Sequence, residues 1–212
     1  MSKSDLIPVI ALVGGIGSGK SFLVRSLAET EPIAIIDADR IGHEVLTDKE
    51  VMAQIRQEFG DGVFDDQGAI IRRALGQMVF GQDAEHQAAK VRLERIVHPR
   101  IRDRIRQQIA EIRSLKTYEA IFLDAAILLE SGWKDECQAI VYVDVPAEER
   151  LKRVVSERNW TPEEFFAREA NQLPVELKQQ AADFTVINFP AGPAAVNQLR
   201  LIYRRIKDGF SR

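Results

Sequence analysis

One short stretch, "ALVGGIGSGKSF" from Ala11 to Phe22, constrains this chain more than any other. Gly14, Gly19, Lys20 and Ser21 occupy every fixed position of the pattern G-x-x-x-x-G-K-[ST]. An apolar run, Pro8–Val13, precedes it, and Phe22, Leu23 and Leu27 follow at helical spacing. A buried strand therefore runs into a tight turn and then a helix. Small residues let the backbone wrap so that successive N–H groups point inward at an anion, and the helix adds the positive end of its dipole. The expected ligand is the phosphate tail of a nucleoside triphosphate, with Lys20 reaching the β and γ phosphates and the Ser21 hydroxyl ligating magnesium. A dinucleotide-binding turn fits poorly, because G-x-G-x-x-G is not matched and such a turn has no use for Lys20.

Further apolar runs predict strands at Ile33–Ile36, Ala120–Asp124 and Ala139–Val145, with a weaker one at Phe184–Ile187. They lack polar alternation, as strands buried on both faces do, and helical segments separate them. Parallel crossovers and a three-layer α/β sandwich follow. Roughly 80 residues separate the second and third strands, too many for one crossover helix. Helical patterns around 48–59, 69–80, 84–97 and 99–115 fill that interval, with a helix break expected at His98–Pro99. Another helical segment, 161–183, opens on Thr161 and Pro162, a cap followed by a first helical residue. The expected organisation is a core of 7–40, 118–147 and 183–212, a helical insertion 41–117 and a helical lid 148–182.

Acids follow two of the strands. Asp37 and Asp39 stand just past the second, on the sheet edge that carries the phosphate loop, and would point the same way if extended geometry continued. One acid near an acceptor hydroxyl and another near magnesium-bound water suit phosphoryl transfer, while Asp39 as a helix cap is the alternative. Asp124 closes "AIFLD" as a magnesium-organising acid does, or as a strand-end cap. Arg150, Lys152, Arg153, Arg158 and Arg168 cluster after the fourth strand, where an arginine-bearing flap closing over the transferred group competes with solvated surface residues. The run from Lys90 to Arg113 holds seven arginines and one lysine against three acids, which reads as an ion-paired helix face or a cationic wall for an anionic substrate. It has no aromatic residue, which argues against stacked RNA bases. His43, His86 and Cys137 lack metal-ligand spacing, so no zinc site is expected, and the lone cysteine reads as a small filler.

Taken together these motifs resemble the dephospho-CoA kinase family. The likeness covers nearly the whole chain through "GGIGSGKS", "IDAD", "RRALGQMVF", "IVHPRI", the Asp124–Trp133 stretch and "QLPVELKQQAADFTVIN". The resemblance implies a P-loop NTPase-type parallel sheet with a substrate-binding insertion and a lid. It also implies transfer of the γ-phosphoryl group of ATP to the ribose 3′-hydroxyl of dephospho-CoA, with magnesium. On that likeness Gly14, Gly15, Gly17, Ser18, Gly19, Lys20, Ser21 and Phe22 hold ATP, and Asn188 meets its adenine end. Asp39 matches the general base, Lys20 and Arg153 serve catalysis, Ser21 and (through water) Asp124 hold magnesium, and Arg72, Arg73 and His98 with Asp39 receive the acceptor. This chain departs from the family's usual pattern at Phe22, Ala126, Ile127, Ile187, the late Arg158 and the displaced Gly192.

At 212 residues with a net charge of −3, the chain suits one sizeable core and gives no global attraction to nucleic acid or membranes. Its start lacks a leader's long apolar stretch and one cysteine precludes an internal disulfide, so a cytoplasmic enzyme is expected, with a monomer favoured and the oligomeric state left open. Two other readings compete: a related kinase for another nucleotide or nucleoside acceptor, and a nucleotide-dependent switch. The switch is disfavoured because no N-K-x-D segment is present and Lys20, Ser21 and Asp39 all stand.

Overall fold

A computed structural model describes residues 7–81, 83–125 and 127–210. The amino-terminal stretch read above for a leader lies largely outside those residues, as does Ala126. The chain divides into two compact units, one of residues 1–37 with 107–212 and the other of residues 38–106.

The larger unit carries a five-stranded, all-parallel sheet. In chain order it contains β1 (Val9–Val13), α1 (Lys20–Ala28), β2 (Ile33–Asp37), β3 (Ala120–Asp124), β4 (Ala139–Asp144), α6 (Ala147–Arg158), α7 (Pro162–Glu169), α8 (Val175–Gln180), β5 (Phe184–Ile187) and α9 (Pro193–Phe210). Strand order across the sheet is β2-β3-β1-β4-β5. β1 is central, pairing with β3 through Leu12–Asp124 and with β4 through Val13–Tyr142. The chain leaves β1 for one edge, returns beside it, and then builds outward on the other side. The loop after β1 therefore sits at a switch point on the carboxyl edge, where open α/β sheets bind ligands.

Continuous apolar strands have the physical consequence expected of them. All five residues of β1 are buried, so both faces of the sheet are covered. On one face Ile10, Leu12, Phe122, Val141 and Val186 pack with Leu23 and Leu27 of α1 and with Leu199 and Tyr203 of α9. Glu31 ties this layer at the rim, taking Arg200 and Arg204 of α9 at 3.1 and 2.8 Å. Tyr203 donates to Glu119 at 3.0 Å, and Lys207 meets the same carboxylate at 2.6 Å. Burial and that hydrogen bond together push the Tyr203 hydroxyl pKa up.

α7 starts as its sequence dictates. Thr161 and Glu164 form a reciprocal capping box, with Pro162 in the first turn. The 161–183 segment is two helices, because Pro174 interrupts it and caps α8. At Asn159 the chain turns through a left-handed conformation that ends α6.

The smaller unit holds α2 (Ala38–Val45), α3 (Lys49–Phe59), α4 (Arg72–Val79) and most of α5 (Ala84–Leu115). Asp48 caps α3 by accepting from the amides of Glu50 and Val51. The expected break at His98–Pro99 is absent: α5 runs unbroken through Pro99. Proline costs one i→i−4 bond, but beyond it the buried Ile101, Ile105 and Ile109 keep a four-residue helical spacing. Extended geometry does not continue past Asp37 either, since α2 begins at Ala38 and places Asp39 in its first helical turn.

Candidate functional site: a phosphate loop braced by three cations

Gly19 is the hinge between loop and helix. It caps α1 at φ 82°, in the left-handed region that favours glycine, and a Cβ there would lie 2.6 Å from Nδ2 of Asn188. Lys20 begins the helix at once, so its side chain is carried back over the loop.

The loop's carbonyls are all occupied. Lys20 Nζ donates to the carbonyls of Gly14 and Gly15 at 3.2 and 3.3 Å. Arg150 donates to that of Ile16 at 3.3 Å. Arg153 donates to Gly17 and Ser18 at 3.3 and 3.4 Å, and the Asn188 side-chain amide to Ser18 at 2.8 Å. Leu23 N–H takes the carbonyl of Gly19 at 3.0 Å. A loop whose carbonyls are tied from behind by Lys20, Arg150, Arg153 and an amide offers an anion its N–H edge, next to the positive end of α1.

Ser21 donates to Oδ2 of Asp124 at 2.5 Å. Asp124 ends β3 and stands in register with Asp37 at the end of β2, so two acids occupy neighbouring strand ends on the carboxyl edge. A hydroxyl and a carboxylate so placed are the hard oxygen donors that magnesium takes.

Arg150 and Arg153 lie one turn apart on α6, and both reach the loop. Arg153 also donates to the Asn188 carbonyl at 2.7 Å. Asn188 itself is fully buried, with its backbone N–H on the Asp144 carbonyl at 2.9 Å, and its Oδ1 is buried without a hydrogen-bond partner. Phe22 is 53% exposed beside the loop. Arg158 and Arg168 are directed elsewhere, both over the ring of Trp160 at 5.2 and 4.2 Å.

Two features escape a reading of motifs alone. Arg150, one of several flap arginines by sequence, is 3% exposed and ion-paired with Glu169. Its i, i+3 relation to Arg153 is the signal that would have singled it out. The "LLE" and "QLPVELK" stretches also converge: Glu130 accepts from the Leu173 N–H at 2.8 Å and pairs with Lys178 at 3.0 Å, and Lys178 is 1% exposed. A buried ammonium needs such a partner.

In the smaller unit Asp39 is exposed in the first turn of α2, and Arg72 and Arg73 are exposed in the first turn of α4. His98, midway along α5, has its pKa lowered, chiefly by burial.

A parallel sheet with β1 at its centre, a glycine loop tied by its carbonyls and a hydroxyl–carboxylate pair beside it define a P-loop nucleotide-binding protein. The sequence profile of dephospho-CoA kinase matches residues 8–191, and the chain belongs to that family. Dephospho-CoA kinase of Carboxydothermus hydrogenoformans is 34% identical over 203 residues, covering 95% of this chain and 96% of the relative. The crystal structure of TT1252 from Thermus thermophilus superposes with a TM-score of 0.76 at 28% identity, covering 94% of this chain and 98% of that one. Dephospho-CoA kinase from Campylobacter jejuni shares the fold at a TM-score of 0.57 and 23% identity, over 94% and 97% of the two chains. Among the described residues no helix is long and apolar enough to cross a membrane.

Proposed function

We propose that this chain phosphorylates the ribose 3′-hydroxyl of dephospho-CoA with ATP, giving coenzyme A and ADP. Family membership sets the reaction, and the observation that supports it most is the loop whose carbonyls from Gly14 to Gly19 all have donors. The amides of Gly15, Gly17, Ser18, Gly19, Lys20 and Ser21 surround the β and γ phosphates, and Lys20 turns from the loop carbonyls to the phosphate oxygens. Ser21 and Asp124 would hold magnesium, which would offset phosphate charge. Asp39, two residues beyond β2, orients and deprotonates the acceptor hydroxyl. Arg153 neutralises charge as the lid of residues 148–182 closes, and Asn188 sits at the adenine end of the nucleotide. Within the insertion of residues 41–117, Arg72, Arg73 and His98 receive the diphosphate and pantetheine of the acceptor. Little covalent chemistry falls to the protein, so positioning and charge neutralisation set the rate.

Steady-state turnover of Lys20→Ala and Asp39→Asn tests this assignment. Each is expected to lose about 100-fold or more, the scale for such groups. A loss below about threefold in Asp39→Asn would remove that residue from the mechanism, since general bases contribute far more. ADP release measured across dephospho-CoA, nucleosides and nucleoside monophosphates tests the acceptor.

A further inference from the structure

Building on the reading that the loop holds the triphosphate of ATP, we infer that Arg150 is a positioning residue for nucleotide binding. It fixes the Gly15–Ile16–Gly17 backbone in its binding form and ties that backbone to α7 through Glu169.

Burial comes first. A guanidinium only 3% exposed persists where its charge is paired and its donors are used. Here Nε donates to the Val145 carbonyl at 3.2 Å, Nη1 donates to the Ile16 carbonyl at 3.3 Å, and Nη1 also pairs with Glu169 Oε1. The Phe165 ring lies 5.6 Å from the guanidinium carbon.

Close approach is the second observation. A Cβ on Gly15 would run into the Arg150 guanidinium, and one on Gly17 would lie 2.7 Å from the Arg150 carbonyl. An arginine end ordinarily swings aside, but three acceptors and the surrounding protein hold this one. The phosphate-loop pattern leaves positions 15 and 17 open. The Arg150 guanidinium accounts for glycine at 15, whereas at 17 the neighbour is the backbone carbonyl of residue 150 and a φ of 77° favours glycine by itself.

The consequence for binding follows from the peptide unit. If the Ile16 carbonyl loses its donor, that peptide is free to rotate and present oxygen rather than N–H to an anion. Arg153 differs in kind, being only partly buried, and it is the arginine assigned to the reacting phosphate. Arg150 is enclosed by its acceptors, whereas Arg153 holds the neighbouring carbonyls of Gly17 and Ser18 and stays partly exposed.

The test measures KM for ATP, KM for dephospho-CoA and kcat separately, with MgATP affinity read by calorimetry in parallel. The proteins are wild type, Arg150→Lys, Arg150→Ala, Gly15→Ala and the double variant Gly15→Ala/Arg150→Ala. Arg150→Ala and Gly15→Ala are each expected to weaken ATP binding roughly tenfold, as loss of a charged hydrogen bond does, with Arg150→Lys intermediate. In the Arg150 variants KM for the acceptor and kcat should stay within about twofold, the signature of a purely nucleotide-side loss. The double variant should bind ATP no worse than Arg150→Ala alone, because the added methyl group then has room. Unchanged ATP affinity in the Arg150 variants, a fall in kcat alone, or full multiplication of the two losses in the double variant overturns the inference. Should neither Arg150 variant fold, Glu169→Gln, which removes the carboxylate paired with Arg150, decides: weaker ATP binding with kcat and acceptor KM held supports the assignment, and unchanged affinity overturns it. Wild-type protein that binds MgATP without phosphorylating dephospho-CoA would sink the proposed reaction while leaving this comparison readable by calorimetry.

Discussion

Replacing Gly19 with alanine probes the loop with a built-in control. At φ 82° an L side chain is strained, at about 1–2 kcal/mol for a residue in the left-handed region. The new Cβ would also lie 2.6 Å from the Asn188 amide nitrogen, which is bonded to the Ser18 carbonyl at 2.8 Å. Moving that amide forfeits a buried hydrogen bond, about 1 kcal/mol more. The total is roughly 2–3 kcal/mol. Gly132 has a similar φ of 69° and nothing within 4 Å of its would-be Cβ, so Gly132→Ala carries the backbone strain alone. Urea unfolding of both variants against wild type should show Gly19→Ala less stable than Gly132→Ala by about 1 kcal/mol, the value of the displaced bond. Affinity for MgATP should fall in Gly19→Ala and hold in Gly132→Ala. Equal stabilities with equal affinities would refute the view that Asn188 braces the loop through Ser18.

Further outcomes can be checked in the same preparations. Ser21→Ala should raise the magnesium concentration needed for half-maximal rate and lower kcat by about tenfold or more, while a magnesium titration matching wild type would argue against Ser21 as a ligand. Burial lowers the His98 pKa below its ordinary 6.5, so the unfolded chain binds the proton more readily than the folded one. Any stability tied to the neutral ring is present above pH 6.5 and declines as pH falls through and below that value. A His98→Asn variant should show a shallower acid decline in thermal midpoint, and identical slopes would count against it. The Cys137 thiol is pushed up to about 12, first by burial and then by Glu136, so it should resist alkylation at pH 8 until the protein is unfolded. Rapid native labelling would contradict that.

The strands were legible because burial on both faces leaves continuous apolar runs, and Ala120–Asp124 and Phe184–Ile187 fall where the runs lie. Local chemistry likewise announced the Thr161–Pro162 start of α7. Pro99 misled, since local propensity predicts a break where packing along α5 sustains the helix. The helical setting of Asp39 is not legible, because nothing in "IDADR" marks where the strand gives way to a helix. Arg150 and the Glu130–Lys178 pair were hidden for a different reason. Their roles depend on partners 19 to 134 positions away in the chain, and side-chain burial that distant is not written in local spacing.

Mass analysis of the product of purified wild-type protein, magnesium, ATP and dephospho-CoA bears most directly on the central claim. Stoichiometric ADP and a new phosphomonoester on the ribose 3′-oxygen of the acceptor are the predicted result. ADP formed without that ester, or faster phosphorylation of a nucleoside or nucleotide in its place, would contradict it.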